Sequence, residues 1–159
     1  MSEGASTTPD LEQIYRREGP RLWRALFLST GDRDITDDAV AEAFAQALRR
    51  GEAIRSPAAW VWKAAFRIAA GELKERARRA EPTREERYDI REDPADLMAM
   101  LACLSPRQRQ VVVLHCYVGY RQREVAQIIG STTSAVGVHL HRARARLREA
   151  LETESSNDV

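Results

Sequence analysis

The stretch EVAQIIGSTTSAVGVHLHRARARLREAL, residues 124–151, decides the fold of this chain. Apolar residues recur at helical spacing on both sides of a Gly-Ser-Thr break at 130–132. After the break, the positions that mark the buried face of a longer helix are Val136, Leu140, Ala143 and Leu147. A short helix, a tight turn and a longer helix are typical of a helix-turn-helix, whose second helix enters the major groove of DNA.

The residues on the opposite face of this second helix indicate what the helix binds. Ser134, Val138 and His141 fall on that face, with Arg142 at its edge. Arginines also occupy every second position from 142 to 148, so they straddle the helix and would reach phosphates on both walls of a groove. The alternative is a solvated C-terminal helix whose arginines complement the helix dipole. DNA is favoured because residues 105–150 contain 8 basic and only 2 acidic residues.

Charge is sorted into blocks along a chain that is nearly neutral as a whole. The 159 residues include 25 Lys and Arg against 24 Asp and Glu. Residues 10–79 contain 14 basic and 11 acidic residues, whereas 81–96 contain 3 and 7. This acidic stretch holds two prolines and few apolar residues, which is typical of a flexible linker. We therefore expect two small helical domains, 9–80 and 94–152, joined by a linker at 81–93.

Helix starts are marked clearly, and they predict an all-α fold. Ser56 and Ser105 each precede a proline, the arrangement of an N-cap followed by the first helical residue. Gln108 completes a capping box with Ser105, and Thr36 is predicted to cap another helix. No segment alternates with period two between hairpin turns. The first domain is predicted to hold three helices, and the second a short helix, a helix at 106–118 and the helix-turn-helix.

The third helix of the first domain mixes aromatic and basic side chains. Flat rings that stack on splayed bases, beside cations that hold the backbone, are what single-stranded DNA requires. The candidate residues are Trp62, Lys63, Phe66, Arg67, Lys74 and Arg76. The alternative is that the rings of Trp62 and Phe66 belong to the core.

Several classes of protein are excluded by the sequence. No apolar run approaches the roughly 18 residues of a membrane span, and MSEGASTTPD lacks the order of a signal peptide. Cys103 and Cys116 match no metal-ligand spacing. A glycine-rich phosphate loop and paired carboxylates are also missing. We expect a cytoplasmic protein that is not an enzyme and that binds no cofactor or metal.

Three motifs give the chain a resemblance to the extracytoplasmic-function (ECF) group of bacterial RNA polymerase sigma factors, from about Leu11 to Leu151. LSPRQRQVVVLHCYVGYRQREVAQIIGSTTSAVGVHLHRARARL is similar to sigma region 4. DDAVAEAFAQAL is similar to the polymerase-clamp-binding segment of region 2. SPAAWVWKAAFRIAAGELKERARR resembles the helix that melts promoters and reads the −10 element.

The resemblance implies a dissociable specificity subunit that binds core RNA polymerase and promoter DNA, with an anti-sigma factor as a further partner. The residues implied for clamp binding are Asp38, Val40, Glu42 and Phe44. The six candidates on the third helix would contact the −10 element. The residues expected to contact the −35 element are Arg121, Thr133, Ser134, Val138, His141, Arg142 and Arg144.

Departures from the family pattern keep two other functions open. Arg67, Gly71 and Glu72 stand where the family usually has asparagine, aspartate and arginine. They suggest a sigma-derived DNA-binding regulator that is unable to melt promoters. Gly137 and His139 stand where the family often has lysine and arginine. Losing those cations suggests a polymerase-binding interaction protein with little DNA contact.

Overall fold

The computed structural model describes residues 7–79 and 95–157. These residues form helices joined by short turns, so the predicted all-α class is confirmed. The predicted linker, 81–93, lies outside the described residues. The helices are α1 (Thr7–Thr30), α2 (Arg33–Arg50), α3 (Pro57–Arg79), α4 (Ala95–Ala102), α5 (Pro106–Val112), α6 (Gln122–Ile129) and α7 (Thr133–Asn157).

The start of α2 corrects one prediction. The helix begins at Arg33 and not at Thr36, because the Asp32 carboxylate accepts a hydrogen bond from the Ile35 amide at 3.0 Å. Thr36 lies fully buried inside the helix, where its hydroxyl donates to the Asp32 carbonyl at 2.7 Å. Aspartate and threonine are both good N-cap residues, and the sequence alone does not say which of the two caps the helix.

Helices α1, α2 and α3 pack on one another and share a core. Leu22, Leu26 and Phe27 of α1 are fully buried, as is Val61 of α3. The face that α2 presents to this core is narrow and rich in alanine, which lets the helices approach closely. Its buried residues are Ile35, Thr36, Ala39, Val40, Ala43 and Ala47.

Helix α5 starts as predicted and ends in a wider turn. The capping box is confirmed: the Ser105 hydroxyl accepts from the Gln108 amide at 3.2 Å, and the Gln108 side chain accepts from the Ser105 amide at 3.1 Å. After Val112 the backbone continues as a π-helical turn, Val113–Val118. The Leu114 carbonyl accepts from the amides of the two residues that follow this turn, at 3.2 and 2.9 Å.

The helix-turn-helix is formed by α6 and α7, which pack against each other. Gly130 ends α6 with φ at +68°, a conformation that glycine adopts without strain. The predicted buried face of α7 is confirmed for Val136, Leu140 and Ala143, and Leu147 is half-buried. Helix α7 extends to Asn157, five residues beyond the predicted domain end at 152.

Side chains of the two predicted domains touch each other. Helix α1 packs against α5 and its π-helical turn, and α3 packs against α6. The guanidinium of Arg109 on α5 makes one of these contacts, since Arg109 is only 6% exposed and its Nε donates to the Leu28 carbonyl at 2.7 Å. The carbonyl end of a helix carries partial negative charge, so the cation stabilises the end of α1.

Candidate nucleic-acid interface

The outer face of α7 carries most of the predicted −35 residues. Ser134, Val138, His141 and Arg142 are exposed and follow one another along a strip of the helix. Thr133 and Arg144 are also exposed, but they lie to one side of this strip. Arg121 is exposed at the start of α6, on the other helix of the motif.

The electrostatic surroundings of His139 show that this part of α7 is basic. Burial lowers the pKa of the His139 imidazole, and the charges of Arg107 and Arg142 lower it further. A neutral imidazole is therefore favoured beside two guanidinium groups. Bringing a DNA phosphate to this place would offset the repulsion among these groups.

On α3, the six candidates for the −10 element do not share one surface. Lys63, Arg67 and Lys74 fall on the same side of the helix, and Arg67 and Lys74 are exposed. Phe66 is 2% exposed and belongs to the core, so in this arrangement its ring cannot stack on a base. Burial of this ring was the alternative that the sequence left open.

Trp62 and Arg76 are held by acidic side chains of α1 and of the turn before α2. The Trp62 indole Nε1 donates to Glu18 Oε2 at 3.2 Å, and its ring stacks on Phe66 with centroids 6.3 Å apart. One guanidinium nitrogen of Arg76 donates to Asp32 Oδ2 at 2.6 Å, where Asp32 is 5% exposed. Arg76 therefore braces α3 against the start of α2.

Two adjoining grooves of about 310 and 400 Å³ lie between the end of α2, the turn that follows it and α3. Both are lined by Arg50, Trp60 and Lys63, and Arg67 lines one of them. The Arg50 guanidinium lies over the Trp60 ring, 5.4 Å from its centroid. A ring and several cations around a groove can hold a base and its phosphate. Neither Arg50 nor Trp60 was among the predicted DNA contacts.

On α2, the predicted clamp-binding residues have different surroundings. Val40 is buried, whereas Asp38 and Glu42 are exposed. Glu42 accepts hydrogen bonds from Gln46 and Arg49, each at 3.0 Å. Both hydrogen bonds lower the pKa of the Glu42 carboxyl, and the bond from Gln46 has the larger effect. The Glu42 carboxylate is therefore ionised at neutral pH.

An apolar patch lies beside these carboxylates. The half-buried Phe44 ring meets Tyr15 of α1 edge to face, with centroids 5.1 Å apart. Tyr15 and Leu48 are each more than half exposed. Sequence reasoning missed both, although Leu48 follows Phe44 at the four-residue spacing that places side chains on one helix face.

Two further findings hold for the described part of the chain. None of its helices combines the length and apolar character that a membrane crossing needs. Among the same residues, His, Cys, Asp and Glu side chains form no group of three or more that could hold a metal ion.

Comparison with known proteins gives matches to sigma factors. Residues 95–147 match the family described as Sigma-70, region 4. The chain is 46% identical over 61 residues to the RNA polymerase sigma-E factor of Streptomyces avermitilis, covering 38% of this chain and 34% of that protein. It is 30% identical over 148 residues to the probable ECF RNA polymerase sigma factor SigI of Mycobacterium tuberculosis, covering 78% and 49%. The chain thus spans about a third to a half of these relatives.

Solved structures share the fold over nearly the whole chain. The sigma factor RpoE of Bartonella quintana, in complex with the anti-sigma factor NepR, matches with a TM-score of 0.72 and 20% identity, covering 90% of this chain and 97% of that one. CnrH, in complex with the cytosolic domain of CnrY, matches with a TM-score of 0.62 and 26% identity, covering 92% and 90%. The region 4 match and the relatives named ECF sigma factors support assignment of the chain to the ECF group of RNA polymerase sigma factors.

Proposed function

We propose that this chain is a transcription-initiation subunit that binds core RNA polymerase and directs it to specific promoters. The observation that carries the proposal is the outer strip of α7. Ser134, Val138, His141 and Arg142 are exposed there, while the other side of the helix packs into the core. This is the geometry by which a helix-turn-helix presents its second helix to the major groove. The duplex read by this strip is the −35 element.

The first three helices supply the other two functions of the subunit. Single-stranded DNA of the −10 element follows the grooves beside Arg50, Trp60 and Lys63, since a ring and cations suit a splayed strand. Asp38, Glu42 and the neighbouring apolar patch bind the polymerase clamp. The subunit acts in the cytoplasm and has no catalytic residues of its own. The complexes of RpoE with NepR and of CnrH with CnrY support an anti-sigma factor as a further partner.

Run-off transcription tests this proposal. Bacterial core polymerase and the full chain are supplied with the chain's own promoter region, once as a duplex and once melted beforehand around the start site. Transcripts from both templates are expected. If the chain supports transcription from neither template, although it binds the polymerase, the proposal is wrong and an interaction protein with little DNA contact is favoured.

Clamp binding is tested by a charge reversal on α2. Glu42→Lys should weaken the complex with core polymerase at least tenfold, because it places a cation in an acidic docking surface. Glu12→Lys is the matched control, since Glu12 is an exposed carboxylate on α1 that pairs with a neighbouring arginine. Equal affinities of both variants, measured by titration with labelled polymerase, would remove Glu42 from the docking surface.

A second function is favoured by one observation on α3. Gly71 and Glu72 are exposed, and the Glu72 carboxylate lies 3.5 Å from Arg76, which also pairs with Asp32. Carboxylates thus neutralise a cation near the expected path of the strand. A sigma-derived regulator that binds promoters without melting them would give transcripts from the melted template alone.

A further inference from the structure

An ion pair joins the proposed single-strand surface to the helix-turn-helix. Lys63 Nζ of α3 lies 3.5 Å from Glu124 Oε2 of α6. Both side chains keep contact with solvent, with 41% and 36% of their surface exposed. The pair can therefore exchange with another ion without unpacking a core.

Lys63 lines both grooves on α3, together with Arg50 and Trp60. A strand lying in either groove would bring a phosphate to this ammonium group. In this structure, where α6 packs on α3, the Glu124 carboxylate already lies beside this ammonium group. Carboxylate and phosphate oxygens make the same kind of charge-assisted hydrogen bond to a lysine, so they compete for it.

The Glu124 carboxylate is held in place by its own helix. Its second oxygen, Oε1, accepts a hydrogen bond from the Arg121 amide at 3.4 Å, at the first turn of α6. In this structure the carboxylate therefore links the first turn of α6 to Lys63 of α3. The buried contact between Arg109 and the end of α1 fixes a second point of the same arrangement.

We propose that Glu124 takes the position of a DNA phosphate at Lys63, so that the packed arrangement of the two halves masks the single-strand surface. DNA and α6 then compete for the same cation, and binding of a strand favours separation of the helix-turn-helix from α3. This inference rests on the proposed function, because it assumes that α3 binds single-stranded DNA.

The test uses two substitutions in the full chain, each of which removes one charge. Glu124→Gln removes the negative charge but retains an oxygen that can cap α6. Binding of a fluorescein-labelled single-stranded DNA of the promoter region is followed by anisotropy. An exposed ion pair changes an equilibrium constant by at most about fivefold. Glu124→Gln should therefore bind the strand about fivefold more tightly than the wild type. Lys63→Gln should bind it more weakly.

Two controls separate masking from a simple change in net charge. Glu12→Gln removes the same charge from an exposed pair within α1 and should leave affinity within about twofold of the wild type. In a Lys63→Gln background, Glu124→Gln should no longer increase affinity, because the cation for which it competes is missing.

Three results would overturn the inference. These are equal affinities of the wild type and Glu124→Gln, a gain that persists unchanged in the Lys63→Gln background, or no strand binding by any variant. Run-off transcription is measured on the same proteins. Normal transcription by the wild type alongside any of these results would reject masking by Glu124 and leave the proposed function intact.

Discussion

Among single residues, Arg142 of α7 gives the clearest test of the proposed DNA interface. It is exposed at the edge of the outer strip, and its charge helps to lower the pKa of His139. Arg142→Ala should weaken duplex binding and reduce the slope of log affinity against log salt by about one unit, since one phosphate contact is lost. Titrations at several salt concentrations measure both.

The matched control for this change is Arg16→Ala. Arg16 is exposed on α1 and pairs with Glu12 at 2.7 Å, away from the helix-turn-helix. It should leave the salt slope unchanged. If both variants lower the slope equally, net charge rather than a contact by Arg142 explains the effect.

Val138 offers a second test at this scale, because it is apolar and 47% exposed on a polar strip. In the major groove, the apolar group that a valine can contact is the C5 methyl of thymine. Replacing the contacted thymine by deoxyuridine should reduce wild-type affinity about fourfold, from roughly 0.8 kcal/mol per buried methyl group. Val138→Ala should bind both duplexes alike. A fourfold effect that survives in Val138→Ala would assign the methyl contact to another side chain.

Capping of α5 provides a test at the scale of elements. Ser105→Ala removes the acceptor for the Gln108 amide and should lower the free energy of unfolding by about 1 kcal/mol. The melting temperature should fall by about 2–4 °C in circular dichroism. Ser155→Ala is the control, because the Ser155 hydroxyl only donates to a carbonyl near the exposed end of α7. Equal shifts for both variants would contradict a specific role of the cap.

The elements that could be predicted are those whose signals are local. Serine before proline placed the starts of α3 and α5, because the cap and the first helical residue are neighbours in sequence. The predicted start of α2 lies too far along the chain, because Asp32 and Thr36 are both suitable N-cap residues and are only four residues apart. The π-helical turn Val113–Val118 was missed, since its residues carry the same apolar spacing as the α-helix that precedes it.

The parts of the candidate site that could be predicted are those in which all residues lie on one face of a single helix. The outer strip of α7 follows from helical periodicity, and its residues are exposed as expected. On α3, an aromatic residue has the same spacing whether it lies in the core or on a DNA surface, so Phe66 could not be assigned. The contact between Arg50 and Trp60 depends on the turn between α2 and α3, and no periodicity encodes that turn.

At the scale of the whole molecule, Gly31 tests how the two halves fit. Its φ is +66°, and a Cβ atom there would lie 3.1 Å from the Arg109 guanidinium nitrogens. Gly31→Ala should therefore cost the backbone strain of about 1–2 kcal/mol and, in addition, about 1 kcal/mol or more for displacing Arg109. Unfolding in urea measures the sum.

Gly130→Ala supplies the reference for this measurement. Gly130 has φ at +68°, yet nothing lies within 4 Å of its Cβ position. Gly130→Ala should therefore lower the free energy of unfolding only by the cost of backbone strain. Equal losses for the two variants would mean that Arg109 moves aside freely and that the halves are not fixed at this point.

The contact between the halves could not be foreseen from the sequence. Leu28 and Arg109 are 81 residues apart, and no local pattern records which carbonyl a distant guanidinium reaches. The arginine itself was recognised only as part of the region 4 motif. The division into two domains with a linker at 81–93 stays a prediction.

The π-helical turn after α5 affects how the helices that follow it are oriented relative to α5. It contains one residue more than an α-helix needs to close the same hydrogen bond. Because α5 is anchored to α1, this extra residue sets the direction in which the chain leaves the turn toward α6, and the packing of α6 on α3 and of α7 on α5 agrees with that direction. Deleting one residue from Val113–Val118 would rotate the start of the following segment by about 100° relative to α5, so the contacts of α6 with α3 and of α7 with α5 could no longer all form in their present register.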